Sequence, residues 1–414
     1  MVSFIISFLF VTIGLYFLAT WLKSAYSFVE SKVFFWLVIY HLILSLAYYL
    51  YVISTASDSF QYFYTVESRI YGSEWFQYYG VSTSFIEFLT FPFPQWFSFG
   101  YEATTMVFTG VGAAGFFFFY IFFKERNITE IKIWGYNLMV IILFLPNLHF
   151  WSSSIGKGSV TFFGFSLFFY ALNKINTRYL AAIIGAFLLY HVRPHILMVT
   201  VVATILGFLF STRGVNTWLR SALLMISFLL AFFVVDDVLR LTGINEDNVL
   251  DQLTSLSDRT RGIKSLMRAT SGVDITSYSF PLKVFTFWFR PLFFDAPGLL
   301  GFVVSFENVF YLFLFLKIFR LDFITFIRQS DHTIKAALIT FLGVSFSLAQ
   351  ISGNLGLALR QKSQVMVLML FVILKFLEFK ALKSEEILVA QQKMAEKHKL
   401  WRERFLQKKN AWNS

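Results

Sequence analysis

Two histidines and an arginine surround a proline in the segment His191-Val-Arg193-Pro-His195, which interrupts an apolar stretch of the chain. A guanidinium is planar and permanently charged, so Arg193 is suited to bind a phosphate through two parallel hydrogen bonds. His195 is a candidate general base or neutral hydrogen-bond donor. A metal site is disfavoured, because no carboxylate lies at ligand spacing and an arginine separates the histidines. The alternative is an arginine that reaches lipid headgroups beside histidines that only pack.

A second basic segment, Leu145–Ser159, joins two apolar stretches and contains Gly156-Lys157-Gly158 near its end. The glycines allow close backbone approach, and a helix is predicted to begin directly after them. Free backbone N–H groups at a helix start, with a lysine beside them, form an anion site. The spacing does not fit a Walker A loop, so nucleotide binding is not indicated. We interpret His149, in the same segment, as structural or substrate-orienting. The alternative for Lys157 is contact with lipid headgroups.

Two further arginines, Arg290 and Arg360, lie beside predicted helix ends and are candidates for binding the same anion. Lys362 follows closely, and contact with lipid headgroups is the alternative for both residues of that pair. Glu307 lies inside an apolar stretch, where a carboxylate is a functional hypothesis by default. We interpret Glu307 as structural or substrate-orienting, with an arginine such as Arg290 as its expected partner.

Asp58 lies just past a predicted helix end and precedes a cluster of Tyr and Phe residues. A carboxylate beside aromatic faces suits a sugar, which combines hydroxyl groups with apolar ring faces. In such a setting Asp58 is a candidate to deprotonate an acceptor hydroxyl. The alternative is the solvation of a helix end within an aromatic belt at the membrane interface.

The composition places these residues in a membrane protein. Of the 414 residues, 57% are hydrophobic and 14% are charged, an apolar excess that lipid can solvate but a soluble domain cannot bury. The formal net charge is +11. The basic residues are scattered between apolar stretches and in the C-terminal tail, so anionic lipid rather than nucleic acid is the expected partner. The absence of cysteine excludes disulfides, iron–sulfur clusters and thiol catalysis. Neither a metal nor a cofactor is expected.

The apolar stretches predict an all-α, polytopic membrane protein with about eleven transmembrane helices. Loops rich in Lys and Arg alternate with these helices, so the positive-inside rule puts the N-terminus outside and the C-terminus in the cytoplasm. The transmembrane domain covers residues 1–382, with larger extracytoplasmic loops at about 56–103 and 236–288, and a basic amphipathic cytoplasmic tail follows at 383–414. The predicted spans are Val2–Leu22, Val33–Thr55, Thr104–Phe123, Trp134–Leu148, Ser159–Leu172, Tyr179–Val192, Ile196–Thr212, Asn216–Val235, Gly298–Leu316, Ala336–Ile351 and Val365–Phe379.

Five basic residues break the positive-inside pattern because they fall at outer helix ends or in outer loops: Lys157, Arg193, Arg290, Arg360 and Lys362. Binding of an anion accounts for them. All seven prolines also fall on this side, and irregular backbone at membrane depth is tolerated only beside protein or a wet cavity. The outer face is therefore predicted to be the functional one.

Taken in order, these fragments resemble the EpsG/Wzy-like family of bacterial polysaccharide polymerases. The fragments are Ser57-Asp58, Leu145-Pro-Asn through Trp151-Ser with Lys157, Arg193-Pro194, Phe289-Arg-Pro291 with Glu307-Asn308, and Asn354-Leu-Gly with Arg360. The resemblance covers most of residues 56–362. It implies a glycosyltransferase of the bacterial cytoplasmic membrane that polymerises undecaprenyl-diphosphate-linked oligosaccharides into a surface O-antigen or exopolysaccharide, together with other polysaccharide-assembly proteins.

The expected reaction is glycosyl transfer with the lipid diphosphate as the leaving group. Four of the outer basic residues are expected to bind the diphosphate and to stabilise its developing charge, namely Lys157, Arg193, Arg290 and Arg360. Asp58 or His195 is expected to take the acceptor proton. Two alternatives stay open. One is a GT-C-type glycosyltransferase that uses a polyprenyl-phosphate sugar donor, and the other is a lipid or glycan transporter (flippase).

Overall fold

The computed structural model describes residues 2–55, 57–211, 225, 272–275, 277–296 and 298–412. Its helices, in chain order, are α1 (Val2–Ala25), α2 (Ser31–Ser54), α3 (Asp58–Glu67), α4 (Thr83–Thr90), α5 (Pro92–Trp96), α6 (Tyr101–Lys124), α7 (Leu138–Leu143), α8 (Pro146–Trp151), α9 (Lys157–Leu172), α10 (Ile175–Val192), α11 (Pro194–Leu209), α12 (Phe280–Phe289), α13 (Gly298–Leu316), α14 (Leu321–Gln329), α15 (His332–Ala349) and α16 (Leu355–Trp412). A 3-10 turn covers Trp75–Tyr78, and a small antiparallel hairpin pairs β1 (Lys132–Ile133) with β2 (Tyr136–Asn137).

The architecture is that of an all-α, polytopic membrane protein, as predicted. In the described part of the chain, six helices are long and apolar enough to cross a membrane, namely α1, α2, α6, α10, α13 and α15. Shorter apolar helices lie between them. The count of about eleven spans and the orientation stay predictions. The structure does not describe the predicted span Asn216–Val235, apart from residue 225. The predicted loop 236–288 also lies outside the described residues as far as residue 271.

Helix α6 is the centre of the bundle. Nearly all of its side chains from Phe116 to Phe123 are buried, because α1, α2 and α9 surround it. A helix that is apolar on every side is expected to lie in such an interior position. Helix α9 is in turn packed tightly on α10. A Cβ atom added to Gly185 of α10 would lie 2.7 Å from the carbonyl oxygen of Gly164 in α9. Small residues of this kind let two helix backbones approach closely within a membrane.

The two ends of the bundle carry different charged groups. At one end, which we call the Asp58 end, the side chain of Asp58 meets Arg360 at the beginning of α16. At the other, the Glu125 end, Glu125 after α6 pairs with Arg178 of α10 at 2.7 Å. Helices α6, α10 and α16 therefore run between the two ends. Asp58 and Arg360, both predicted to be outside, lie at the Asp58 end, and Arg178 lies at the Glu125 end.

Two predicted elements have a different form in the structure. The span predicted at Trp134–Leu148 consists of part of the hairpin followed by the short helices α7 and α8, because the chain breaks where Pro146 begins α8. The tail predicted at 383–414 continues the last span, since α16 is helical without interruption from Leu355 to Trp412. The chain contains neither Gly nor Pro after Gly356, so no residue there breaks the helix.

The acidic and aromatic segment after α2 forms a small layer at the Asp58 end. This cap segment, residues 57–99, contains α3, the 3-10 turn, α4 and α5. It is fixed to the end of α10 by two hydrogen bonds. The Ser82 N–H donates to the His191 carbonyl at 2.6 Å, and the hydroxyl of Tyr79 lies 2.8 Å from Nε2 of His191. The cap segment thus lies directly beside the break between α10 and α11.

Candidate functional site

An ion pair between the first helix of the cap segment and the last helix of the chain marks one side of the site. Nη1 of Arg360 donates to Oδ2 of Asp58 at 2.6 Å. Asp58 begins α3, where the Ser57 hydroxyl accepts from the N–H of Ser59 at 3.2 Å and starts the helix. The Asp58 side chain is 57% exposed and that of Arg360 is 17% exposed. The pair therefore faces solvent on the Asp58 side and protein on the Arg360 side.

The start of α9 lies beside this pair. Gly156 precedes the helix with a φ of +154°, a conformation that residues with a side chain rarely adopt. A Cβ atom at this position would lie 3.8 Å from Nη2 of Arg360, so the backbone there is in contact range of the guanidinium. Lys157 is the first residue of the helix, and its Nζ donates to the hydroxyl of Ser82 at 2.8 Å. A positive helix end and two cations thus meet at one place.

Arg193 occupies the break between α10 and α11 and is only 7% exposed. Its Nε has no hydrogen-bond partner among the described residues, and its guanidinium takes part in none of the ion pairs found between them. Burial and the nearby positive charge of Arg360 lower the pKa of Arg193 to about 10, so the side chain stays charged at neutral pH. A buried charge without a partner is costly in free energy. This arrangement indicates a site that an anion completes.

His195 lies two residues further on, in the first turn of α11. It is exposed and lies within electrostatic range of Arg193 and Lys157. Five residues predicted from sequence, Asp58, Lys157, Arg193, His195 and Arg360, are therefore brought together from α3, α9, the α10–α11 break and α16. We call these five residues the charged cluster.

Arg290, the fourth predicted anion-binding residue, lies in a different set of contacts. Its Nε donates to Asp295, and its Nη1 donates to the Tyr278 hydroxyl at 3.3 Å. No hydrogen bond or ion pair among the described residues joins Arg290 to Arg193 or Arg360. Its positive charge is compensated locally by Asp295, five residues further along the chain.

Glu307 bonds two protein groups, neither of which is an arginine. The carboxylate accepts from the backbone N–H of Asn147 at 2.8 Å and from the hydroxyl of Tyr311. Because Asn147 is the second residue of α8, Glu307 of α13 satisfies one of the free N–H groups at the start of that helix. The expected partner Arg290 is bound to Asp295 instead.

His149 and Lys362 are both buried inside the bundle. The Nε2 of His149 lies 2.7 Å from the carbonyl oxygen of Leu143, its Nδ1 lies 3.0 Å from Nδ1 of His41, and its ring stacks on Phe116. Lys362 donates to two backbone carbonyls and to Oδ1 of Asn308 at 2.7 Å. Lys362 thus bonds protein groups and is not placed to contact lipid headgroups.

Two residues near the charged cluster were not predicted as site residues. Ser82, the partner of Lys157, has a φ of +67°, a strained conformation for a residue with a side chain. Glu87 of α4 is 3% exposed and lies within electrostatic range of Lys157. Burial raises the pKa of Glu87, and the charge of Lys157 opposes this change. The only signal for Glu87 in the sequence was its presence in an acidic, aromatic-rich loop, which does not identify a single residue.

The charged cluster contains three cations, Lys157, Arg193 and Arg360, and a single carboxylate, Asp58. Its guanidinium groups and the free N–H groups at the start of α9 are donors that suit phosphate oxygens. No group of three or more potential metal-ligating side chains occurs among the described residues. No protein-family model, curated protein or solved structure matches this chain.

Proposed function

We propose that this chain is a membrane glycosyltransferase that joins oligosaccharide units carried on undecaprenyl diphosphate. The observation that carries the proposal is Arg193, a buried cation whose Nε has no hydrogen-bond partner among the described residues. It lies beside two further cations, Arg360 and Lys157. Three cations at the end of a bundle of apolar helices suit a ligand that combines an anionic headgroup with a hydrocarbon chain. A lipid diphosphate is such a ligand.

Glycosyl transfer from this ligand uses the charged cluster in a direct way. The acceptor hydroxyl oxygen attacks the anomeric carbon of the donor, and the bond from that carbon to the diphosphate oxygen breaks. The electron pair leaves with the diphosphate, and the acceptor proton passes to a base. Cations fixed around the diphosphate stabilise the charge that develops on it. The donor linkage itself supplies the driving force, so no nucleotide takes part.

The cap segment supports a glycan as the transferred group. Its surface presents aromatic side chains, including Phe60 at 53% and Tyr64 at 52% exposure, close in sequence to Asp58. Aromatic faces and carboxylates are suitable partners for the apolar faces and hydroxyl groups of sugars. In this proposal the sugars lie against the cap segment and the isoprenoid chain lies among the apolar helices. The outer face of the bacterial cytoplasmic membrane is the proposed location of the Asp58 end, and an O-antigen or exopolysaccharide is the proposed product.

The test is an assay of the full chain reconstituted in lipid nanodiscs with three substrates in parallel. We expect an undecaprenyl-diphosphate oligosaccharide to be consumed, with release of undecaprenyl diphosphate and formation of a lipid-linked glycan of twice the length. Consumption of only a monosaccharide on polyprenyl monophosphate would favour the GT-C-type alternative. In proteoliposomes, movement of the lipid-linked glycan across the bilayer without cleavage would favour a flippase and contradict the proposal.

A further inference from the structure

Glu87 is a second carboxylate close to the charged cluster, and its environment differs from that of Asp58. It is 3% exposed, and no described residue forms a hydrogen bond or ion pair with its side chain. Its oxygens are not among the enclosed side-chain atoms that lack a hydrogen-bond partner, so the carboxylate keeps contact with open space although the residue is largely buried. A carboxylate that keeps its oxygens free is available to a donor that the protein itself does not supply.

The helix that carries Glu87 directs it toward the cluster. Thr83 and Glu87 lie four residues apart in α4, so they share one face of that helix. Thr83 lies beside Tyr62, and Tyr62 lies beside Arg360. Glu87 itself lies within electrostatic range of Lys157. The face of α4 that carries both residues is therefore turned toward the cations.

The two proton acceptors predicted from sequence are less well placed for that role. Asp58 is bound to Arg360 at 2.6 Å, and a guanidinium stabilises the ionised carboxylate and so weakens it as a base. The protein packed around the His195 ring and the positive charges of Arg193 and Lys157 lower its pKa. They therefore disfavour the imidazolium that would form when the ring accepts a proton. Glu87 has neither a direct ion pair among the described residues nor two cations acting on it, since Lys157 is its one charged neighbour there.

We propose that Glu87 binds the acceptor hydroxyl and takes its proton during glycosyl transfer. This inference rests on the proposed function. In the step, the hydroxyl O–H bond breaks and the proton passes to a carboxylate oxygen of Glu87. The hydroxyl oxygen forms the new bond to the anomeric carbon, and the diphosphate leaves with the electron pair of the old bond. Lys157 lies within electrostatic range of Glu87, Arg193 and Arg360, and its positive charge favours the ionised form of Glu87 until the hydroxyl arrives.

The expected pH dependence follows from the groups that face Glu87. Lys157 from α9 and Tyr78 from the 3-10 turn lie within electrostatic range of Glu87. Tyr62 from α3 and His191 from α10 contact other residues of α4, namely Thr83 and Phe85. Transfer requires ionised Glu87, so the rate rises with pH through the pKa of this group. Burial raises that pKa, and the acidic limb should therefore lie above the ordinary glutamate value of about 4.3.

The experiment compares Glu87→Gln, Glu87→Asp and the control Glu67→Gln, which changes an exposed glutamate of the same cap segment. Two quantities are measured in nanodiscs: binding of undecaprenyl diphosphate and the rate of transfer from the diphosphate-linked oligosaccharide. We expect Glu87→Gln to lower the rate roughly 100-fold or more, to abolish the acidic limb, and to change diphosphate binding less than threefold. Glu67→Gln should match the wild-type protein in both measurements.

Each outcome separates the two proposals. A normal rate and acidic limb in Glu87→Gln would overturn the inference while leaving the proposed function intact. A parallel loss of diphosphate binding in this variant would also overturn it, because Glu87 would then only hold Lys157 in place. If Glu87→Gln does not fold, Glu87→Asp provides the test. We expect this variant to have a lower transfer rate and a displaced acidic limb. An unchanged dependence of the rate on pH would contradict the inference. Failure of the wild-type protein to bind or cleave the donor would overturn the proposed function instead.

Discussion

Oδ2 of Asp58 lies 2.6 Å from Nη1 of Arg360, although 302 residues separate the two positions in the chain. This ion pair joins the first helix of the cap segment to the last helix of the bundle. It brings an arginine from the end of the fold next to the cations that α9 and the α10–α11 break provide. The charged cluster is therefore a product of the whole bundle.

Substitution of the two partners of this ion pair should have opposite effects on anion binding. Arg360→Gln is expected to weaken binding of undecaprenyl diphosphate roughly tenfold, because a charge-assisted hydrogen bond is lost. Asp58→Asn is expected to tighten it, because a negative charge beside the anion is removed. Asp58 is 57% exposed, so its loss should change the free energy of unfolding by less than about 1 kcal/mol. The affinity of both variants for undecaprenyl diphosphate is measured by equilibrium binding in nanodiscs. Weaker binding by Asp58→Asn than by the wild-type protein would contradict an anion site beside this ion pair.

The start of α9 should require glycine at position 156. The φ of +154° at Gly156 lies in a region that only glycine adopts readily, so Gly156→Ala is expected to destabilise the protein by about 1–3 kcal/mol. Gly14→Ala is the matched control, since a Cβ atom there meets no heavy atom within 4 Å and alanine favours the helix. Thermal unfolding in detergent compares the two variants. Equal stability of both would show that the backbone at Gly156 is not constrained.

Removal of the Glu307 carboxylate should destabilise the packing of α8 against α13. Glu307→Leu leaves the buried N–H of Asn147 and the hydroxyl of Tyr311 without their acceptor. The expected loss is about 2–4 kcal/mol in the free energy of unfolding. Glu386→Leu, at an exposed position of α16, is the control and should have little effect. A similar stability of both variants in thermal unfolding would argue against a structural Glu307.

Protonation of Glu125, at the Glu125 end of the bundle, should lower the stability of the fold at acidic pH. Burial opposes ionisation of Glu125, but hydrogen bonds from Arg178 and Lys174 outweigh it and lower its pKa to about 2. The ionised carboxylate therefore stabilises the folded protein at pH values above the glutamate pKa of the unfolded state, about 4.3. This stabilisation is lost as the pH falls toward the pKa of Glu125 in the folded state. Glu125→Gln should therefore be less stable than the wild-type protein at pH 7. The difference in unfolding temperature should narrow as the pH is lowered below about 4, and a difference independent of pH would refute this account.

The sequence predicted the all-α membrane architecture because apolar composition and span length are local properties. It also predicted the five residues of the charged cluster. Lys157, Arg193 and Arg360 were basic residues at predicted outer helix ends. Asp58 was a carboxylate beside aromatic residues, and His195 lay two residues after Arg193. Arg290 satisfied the same criterion, yet Asp295 compensates its charge, and the sequence does not show which arginine receives a carboxylate. Glu87 could not be singled out, because its burial depends on how α4 packs against α10. Such a contact between distant segments has no local signature.

The central claim is that Arg193, whose Nε has no hydrogen-bond partner in the described part of the chain, binds a phosphate group of the donor. The most direct measurement is to compare Arg193→Met with the exposed control Arg328→Met in two assays, undecaprenyl diphosphate binding and thermal unfolding without ligand. We expect Arg193→Met to weaken binding roughly 10- to 100-fold and to leave the ligand-free protein as stable as the wild type or more stable, because an unpaired buried charge is removed. Unchanged diphosphate binding, with a loss of stability in the ligand-free protein, would show that Arg193 serves the fold and would contradict the account.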